Sequence, residues 1–221
     1  LARGVGDADA EALTDLSYGW TVKGLNSGAR STCALAADRT PSQADALHFL
    51  GVLLHQKGDS HAGAALLEQA APLKWQNPDF LADFGLVLKE DNRWGKAKEV
   101  LRQALGRAPR HPGALCNLAL ILGEEEDFAG AVAHFRQLLA LDPADAESRV
   151  LLARALIAVQ EQAEAETHLR EALRLDPRSA RAEDAALLLA EVLRDKGKVG
   201  ESPSEWEELL AGLARKTPPC F

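Results

Sequence analysis

One interval governs this chain: small residues return every 34 positions. Gly51, Gly85, Ala119 and Ala153 form one such series, and Ala97, Ala131 and Ala165 a second. Pro109, Pro143 and Pro177 keep the same spacing, the last two within Leu-Asp-Pro. A fixed period of this size marks stacked supersecondary units, each of which needs a neighbour to bury its apolar face. The repeat therefore constrains the architecture before any composition is consulted.

Extended backward, the frame puts Ser17 on the first series, Ala29 on the second and Pro41 on the prolines. The units are then about 10–43, 44–77, 78–111, 112–145 and 146–179. A sixth fits 183–216 once three residues are inserted near Ala180 to Ala182. Residues 1–9 are left as an N-terminal extension and 217–221 as a short tail. With Gly63, Ala190 and Ser202 added, every site on both small series holds a small residue. Antiparallel helices joined by a short turn approach closely only where their crossing points lack bulk, which is the physical demand such sites meet.

Apolar residues recur around them at helical spacing: Leu115, Leu118, Leu122, Val132, Phe135 and Leu138 in one unit, Leu152, Leu156, Leu169, Ala172 and Leu173 in the next. Ala and Leu dominate while aromatic residues make up 5%, which favours helix over strand. Breaks are expected at Gly58-Asp59, Asp91-Asn92 and Gly197 between helices, and at the prolines between hairpins. Asn77-Pro78 reads as an N-cap followed by proline in the first turn, and Trp94 and Phe128 as equivalent aromatic wedges in the interhelix turn. Ser202-Pro203-Ser204-Glu205 reads as the capping box of a last helix whose polar outer face closes the stack. Three places break the pattern. Trp75 stands where a proline is expected, Pro72 falls inside a second helix and predicts a kink or early stop, and Arg149 occupies an apolar position.

This arrangement resembles the tetratricopeptide repeat over about residues 10–216. The matching features are small residues at the eighth and twentieth places, large apolars at the fourth, seventh, eleventh and twenty-fourth, and proline at the thirty-second. The resemblance implies an all-α fold, a right-handed superhelical solenoid of antiparallel helix pairs with about six repeats. It also implies a concave side lined by the first helix of each unit. The residues placed there are Tyr18, His48, Val52, His55, Ala82, Leu86, Lys89, Cys116, Leu120, Glu124, Val150 and Arg154. The middle of that surface is apolar and its edges charged, so it implies a groove for a peptide or amphipathic helix, with an acidic rim that favours a basic partner. The family's carboxylate clamp is absent, since its leading Lys and Asn places hold Thr14 and Tyr18, His48 and Val52, or Ala82 and Leu86. An asparagine ladder of the kind found in O-linked sugar transferases is represented by Asn117 alone.

The formal net charge of −8 and the lack of a basic cluster argue against nucleic acid; Arg102, Arg107 and Arg110 read as a solvated helix face. No apolar run approaches the roughly 20 residues needed to cross a membrane. Residues 1–11 lack the order of a signal peptide, and a cytoplasmic location is expected. The absence of Met, even at the first position, predicts a trimmed product or a piece of a longer chain. Cys33, Cys116 and Cys220 are odd in number and contain no CxxC pair, so neither a disulfide framework nor a zinc site is expected. Cys33 falls on a core position. His55 and His61 straddle a turn without HExxH spacing, His134 and His168 are expected to face outward, and Glu124 to Glu126 read as a solvated helix end. No catalytic set, metal or cofactor is expected. The chain reads as a protein-binding scaffold, the alternatives being a non-catalytic region of a larger bacterial enzyme such as a glycosyltransferase or hydroxylase, or a chaperone for an apolar client. Trp75 and Pro72 offer an apolar edge for self-association.

Overall fold

The computed structural model describes residues 41–178 and 181–197. Expectations for Tyr18, Ser17, Ala29, Cys33, the insertion at Ala180, the Ser202 capping box and Cys220 lie outside those residues. The described chain contains nine helices and no strand. They are α1 (Pro41–Gln56), α2 (Ser60–Lys74), α3 (Pro78–Glu90), α4 (Trp94–Arg107), α5 (Pro112–Glu124), α6 (Phe128–Leu139), α7 (Ala146–Ala158), α8 (Gln162–Leu175) and α9 (Ala182–Gly197). In sequence order they alternate as first and second helices of antiparallel hairpins, and α9 begins at Ala182, one residue before the shifted frame's 183. The chain divides into two compact units between Asn117 and Leu118, inside α5.

In the first unit α1 packs on α2, α3 on α4, and α2 and α1 both pack on α3. The small sites make this closeness possible. A Cβ on Gly63 would lie 2.6 Å from the carbonyl oxygen of Gly51, and one on Gly85 would lie 2.5 Å from Cγ and Cδ2 of Leu101. In the later hairpins the same places hold Ala119, Ala131, Ala153 and Ala165, all fully buried. Phe80, Phe84, Leu81, Leu88 and Leu101 fill the first unit's core beside a Leu50–Leu53–Leu54 cluster. Ile121, Leu152, Leu156 and Leu169 fill the second, where α7 packs on α6, α8 and α9.

Every first helix of a complete described hairpin ends in the same way. Gly58, Asn92, Glu126 and Gln160 take positive φ, at 87°, 59°, 65° and 64°. The next N–H then reaches back five residues: Asp59 to Leu54 O, Arg93 to Leu88 O, Asp127 to Leu122 O and Glu161 to Leu156 O, at 2.8–2.9 Å. This is the Schellman closure, which satisfies carbonyls left over at a helix end. The second helix follows at once. Asp59 caps α2 through Ala62 N at 3.0 Å, and Asp127 caps α6 through Gly130 N at 3.0 Å. Trp94 and Phe128, the first residues of α4 and α6, are half-buried, and Trp94 Nε1 donates to Lys89 O at 3.2 Å.

Between hairpins, Asn77 caps α3 through the N–H groups of Asp79 and Phe80 at 2.9 and 3.2 Å, with Pro78 in the first turn as expected. Asp145 caps α7 through Glu147 and Ser148. His111 does the same work for α5: its Nδ1 accepts from Ala114 N at 3.1 Å while Nε2 lies 2.9 Å from Asp79 Oδ1 on α3. A ring that accepts at Nδ1 carries its proton on Nε2, so the neutral tautomer serves both partners. Replacing His111 with Ala is expected to lower stability by about 1 kcal/mol, the ordinary worth of a cap. Asn, whose side-chain oxygen can cap but cannot span to Asp79, should recover most of that loss in urea denaturation.

The early stop expected at Pro72 does not occur. α2 runs on to Lys74 and is 15 residues long, against 14 for α4 and α8. Proline removes only the bond to the Glu68 carbonyl, and the last turn is held from outside by the Lys74–Asp45 ion pair to α1. An apolar edge does result: Leu73 is 65% exposed beside exposed Pro72 and half-buried Trp75.

Candidate partner-binding surface

In the first unit the positions expected to line a binding surface fall on α1, α3 and α5. Val52 and Leu86 occupy equivalent places, 34 residues apart, on two first helices that pack together, and both remain half-exposed. Cys116 is also half-buried. The flanking polar residues are already engaged. His48 Nε2 lies 2.8 Å from Asp83 Oδ2 and its ring stands edge-on to Phe80 at 5.0 Å. His55 Nδ1 lies 3.0 Å from Ser60 Oγ. Lys89 pairs with Glu90 at 2.8 Å, and that bond holds the Glu90 carboxyl below its usual range.

Ala82 does not line the surface. It is buried, 4% exposed, and the Cβ that Gly113 lacks would come within 4.0 Å of it, so the start of the next first helix covers this place. Val150 in the second unit is likewise buried, 1% exposed, on a helix that packs against α6, α8 and α9. Both belong to helix packing, and a ligand would not reach them. Of the other positions in the second unit, Leu120 is half-exposed, Glu124 is exposed at the end of α5, and Arg154 is exposed and donates to Asp184 Oδ2 of α9 at 3.0 Å.

Sequence reasoning missed a set of links that join one hairpin to the next. On the first helices they are His48 to Asp83, Asp79 to His111, Glu147 to Arg181 at 2.7 Å, and Arg154 to Asp184. On the second helices and the residues that cap them, Glu68 takes both Arg93 and Lys96, and Arg136 takes Glu164 at 2.8 Å and Glu161 at 3.0 Å. The Glu68 carboxyl is held low by Lys96 and then Arg93, and Glu164 by Arg136. Opposite charges 25–35 residues apart, close to one period, are the signal that could have found them. Their consequence is that the acidic rim is not free. Asp45, Asp79 and Asp83 keep exposed side chains, but each holds a basic group of its own chain.

His134 and His168 are half-buried in α6 and α8, contrary to the outward placement expected, because they stand where Leu66 and Val100 stand in earlier second helices. Among the described residues no group of three or more His, Cys, Asp or Glu could hold a metal, and no helix is long and apolar enough to cross a membrane.

Residues 83–146 and 124–186 each match the tetratricopeptide repeat family. By sequence, no curated protein matches the chain. Among solved structures it is similar to PilW, a widely conserved type IV pilus biogenesis factor, with 16% identity, 96% of this chain and 94% of that chain covered, and a TM-score of 0.81. It is also similar to PilF of Pseudomonas aeruginosa, with 22% identity, coverage of 96% and 95%, and a TM-score of 0.75. A tetratricopeptide repeat protein from Parabacteroides merdae gives 18% identity, coverage of 96% and 81%, and a TM-score of 0.77. Likenesses at these identities concern the fold. Together with the family matches, the 34-residue hairpin frame and the buried small sites, they identify the chain as a tetratricopeptide repeat protein.

Proposed function

We propose that this chain is a scaffold that holds a peptide or helical segment of another protein against its first helices, with Val52 and Leu86 as the apolar floor in the first unit. Arrays of this fold generally act in protein–protein interaction. The observation that supports the site is the half-exposure of these two residues at equivalent places, while their neighbours Leu53, Leu54, Val87 and Leu88 are buried. Fully burying an exposed side chain of this size contributes about 1.5–3 kcal/mol, so each half-exposed anchor adds roughly half of that on a partner. Within the second unit, taken by itself, Leu120 is a half-exposed apolar side chain.

A basic or amphipathic partner fits the edges. The rim carboxylates are engaged, but exposed ion pairs contribute only about 0–1 kcal/mol, so a partner's Lys or Arg can exchange with the internal ones. Substituting Val52→Glu together with Leu86→Glu should abolish retention of co-purifying partners, read by quantitative mass spectrometry against wild type. Circular dichroism and Tm should change little, because both sites are part-exposed. Retention equal to wild type would sink the reading, and loss of a second copy of the chain alone would redirect it to self-association.

A further inference from the structure

The hairpin of α7 and α8 departs from its own repeat. The place held by buried Leu81 and Leu115 in earlier first helices carries Arg149, opposite the second-helix place that holds buried Val100 in α4, His134 in α6 and His168 here. Arg149 is half-buried. One terminal nitrogen donates to the Pro143 carbonyl, the other lies 3.2 Å from His168 Nδ1, and its Nε is buried with no hydrogen-bond partner. His168 Nε2 lies 3.6 Å from Glu164 on the same helix, a carboxylate that Arg136 of α6 already holds at 2.8 Å. On α9, which also packs on α8, Asp184 is engaged by Arg154 and Arg181.

A guanidinium has donors only, so the bond between Arg149 and His168 requires a lone pair on Nδ1. The ring is then neutral, with its proton on Nε2 facing Glu164. A second proton would sit on Nδ1, turning the acceptor into a donor and placing two positive charges together in a half-buried site. Glu164 offsets this only in part, because Arg136 shares it.

We propose that the Arg149–His168 pair is an acid-sensitive latch on the α7–α8 hairpin: neutral His168 holds Arg149 within the hairpin, and protonation of the ring releases Arg149 and loosens α7 from α8. Burial first, and then the Arg149 charge, hold the imidazole below its ordinary value of 6.5. The folded protein therefore takes up this proton less readily than the unfolded chain. The latch is fully closed above about pH 6.5, and stability falls as pH drops below that value. Glu164 and Glu68 are shifted below an ordinary value of 4.5, so the stability they contribute is present above that value and is lost further into acid. On acidification the His168 window therefore opens first, from about pH 6.5, and the carboxylate window only below 4.5. The latch stands whether or not the first-helix face takes a partner.

The test compares thermal unfolding at about pH 7.5 and about pH 5.5 in the wild type, His168→Asn and the double variant Arg149→Leu/His168→Val. Asn keeps an acceptor near the Nδ1 position and cannot titrate, and the double variant restores the apolar pair that Leu81 and Val100 form in the α3–α4 hairpin. The wild-type fall in Tm on acidification should exceed that of both variants by about 2–4 °C. An equal fall in the wild type and His168→Asn overturns the proposal. Proton NMR of the wild type decides independently of how the variants fold. A His168 ring resonance titrating below 6.5 supports the latch, and one titrating at or above 6.5 removes it.

Discussion

Truncating Phe80 to Ala is expected to cost about 3–5 kcal/mol, the usual range for emptying an aromatic site in a packed core. Phe80 is 0% exposed and lies between the edge-on ring of His48 on α1, at 5.0 Å, and the tilted ring of Phe84, at 5.9 Å. It also sits in the first turn of α3, where its N–H donates to the Asn77 cap. Its loss removes buried contacts from two adjacent hairpins at once and takes away the wall that fixes His48 for Asp83. Phe80→Leu, which keeps most of the volume, should cost less than about 1.5 kcal/mol. Guanidinium denaturation at matched pH separates the two. A loss below about 1 kcal/mol for Phe80→Ala would mean that α1 and α3 do not close over this site.

The second large effect is expected at Gly63. A side chain there meets the Gly51 carbonyl oxygen at 2.6 Å, and Val87 Cγ1 at 3.4 Å. The first obstacle is backbone, which cannot turn aside as a side-chain terminus can. Gly63→Val should therefore push α2 away from α1 and cost about 2–3 kcal/mol through overpacking. Gly106 provides the contrast, because nothing lies within 4 Å of the Cβ it lacks. Gly106→Ala should stabilise by about 0.4–1 kcal/mol through the unfolded chain alone. Opposite signs for the two glycines, read as changes in denaturation midpoint with unchanged slope, would establish that close approach and not glycine itself is what the repeat requires.

The described helices and their small sites were legible because a period repeats the same demand many times over, as at Gly51, Gly85, Ala119 and Ala153. The hairpin closures were legible only where the left-handed residue advertises itself. Gly58 and Asn92 favour positive φ, whereas Glu126 and Gln160 adopt it with no such preference, imposed by the hydrogen bonds around them. Burial of Ala82 and Val150 was not legible, since a helix's own periodicity does not say how far the next hairpin leans across it. Arg149 stood out as a misfit, but its partners are a ring 19 residues away and a backbone carbonyl, neither of which a pattern of residue types reveals. The placement of His134 and His168 failed for a related reason: polar residues were read as outward where the frame in fact puts them on sites filled by Leu66 and Val100 elsewhere.

The recurring closure at Gly58, Asn92, Glu126 and Gln160 has a kinetic consequence. Each hairpin is shut by bonds that span five residues or fewer, and its helices then meet over one short turn. Loops of that size close in well under a microsecond, so little entropy is lost before the first native contacts form. Folding can start at any hairpin and spread to its neighbours, with no obligatory nucleus. A lesion such as Phe80→Ala then speeds the unfolding of its own region while α7 and α8 remain free to begin the next attempt.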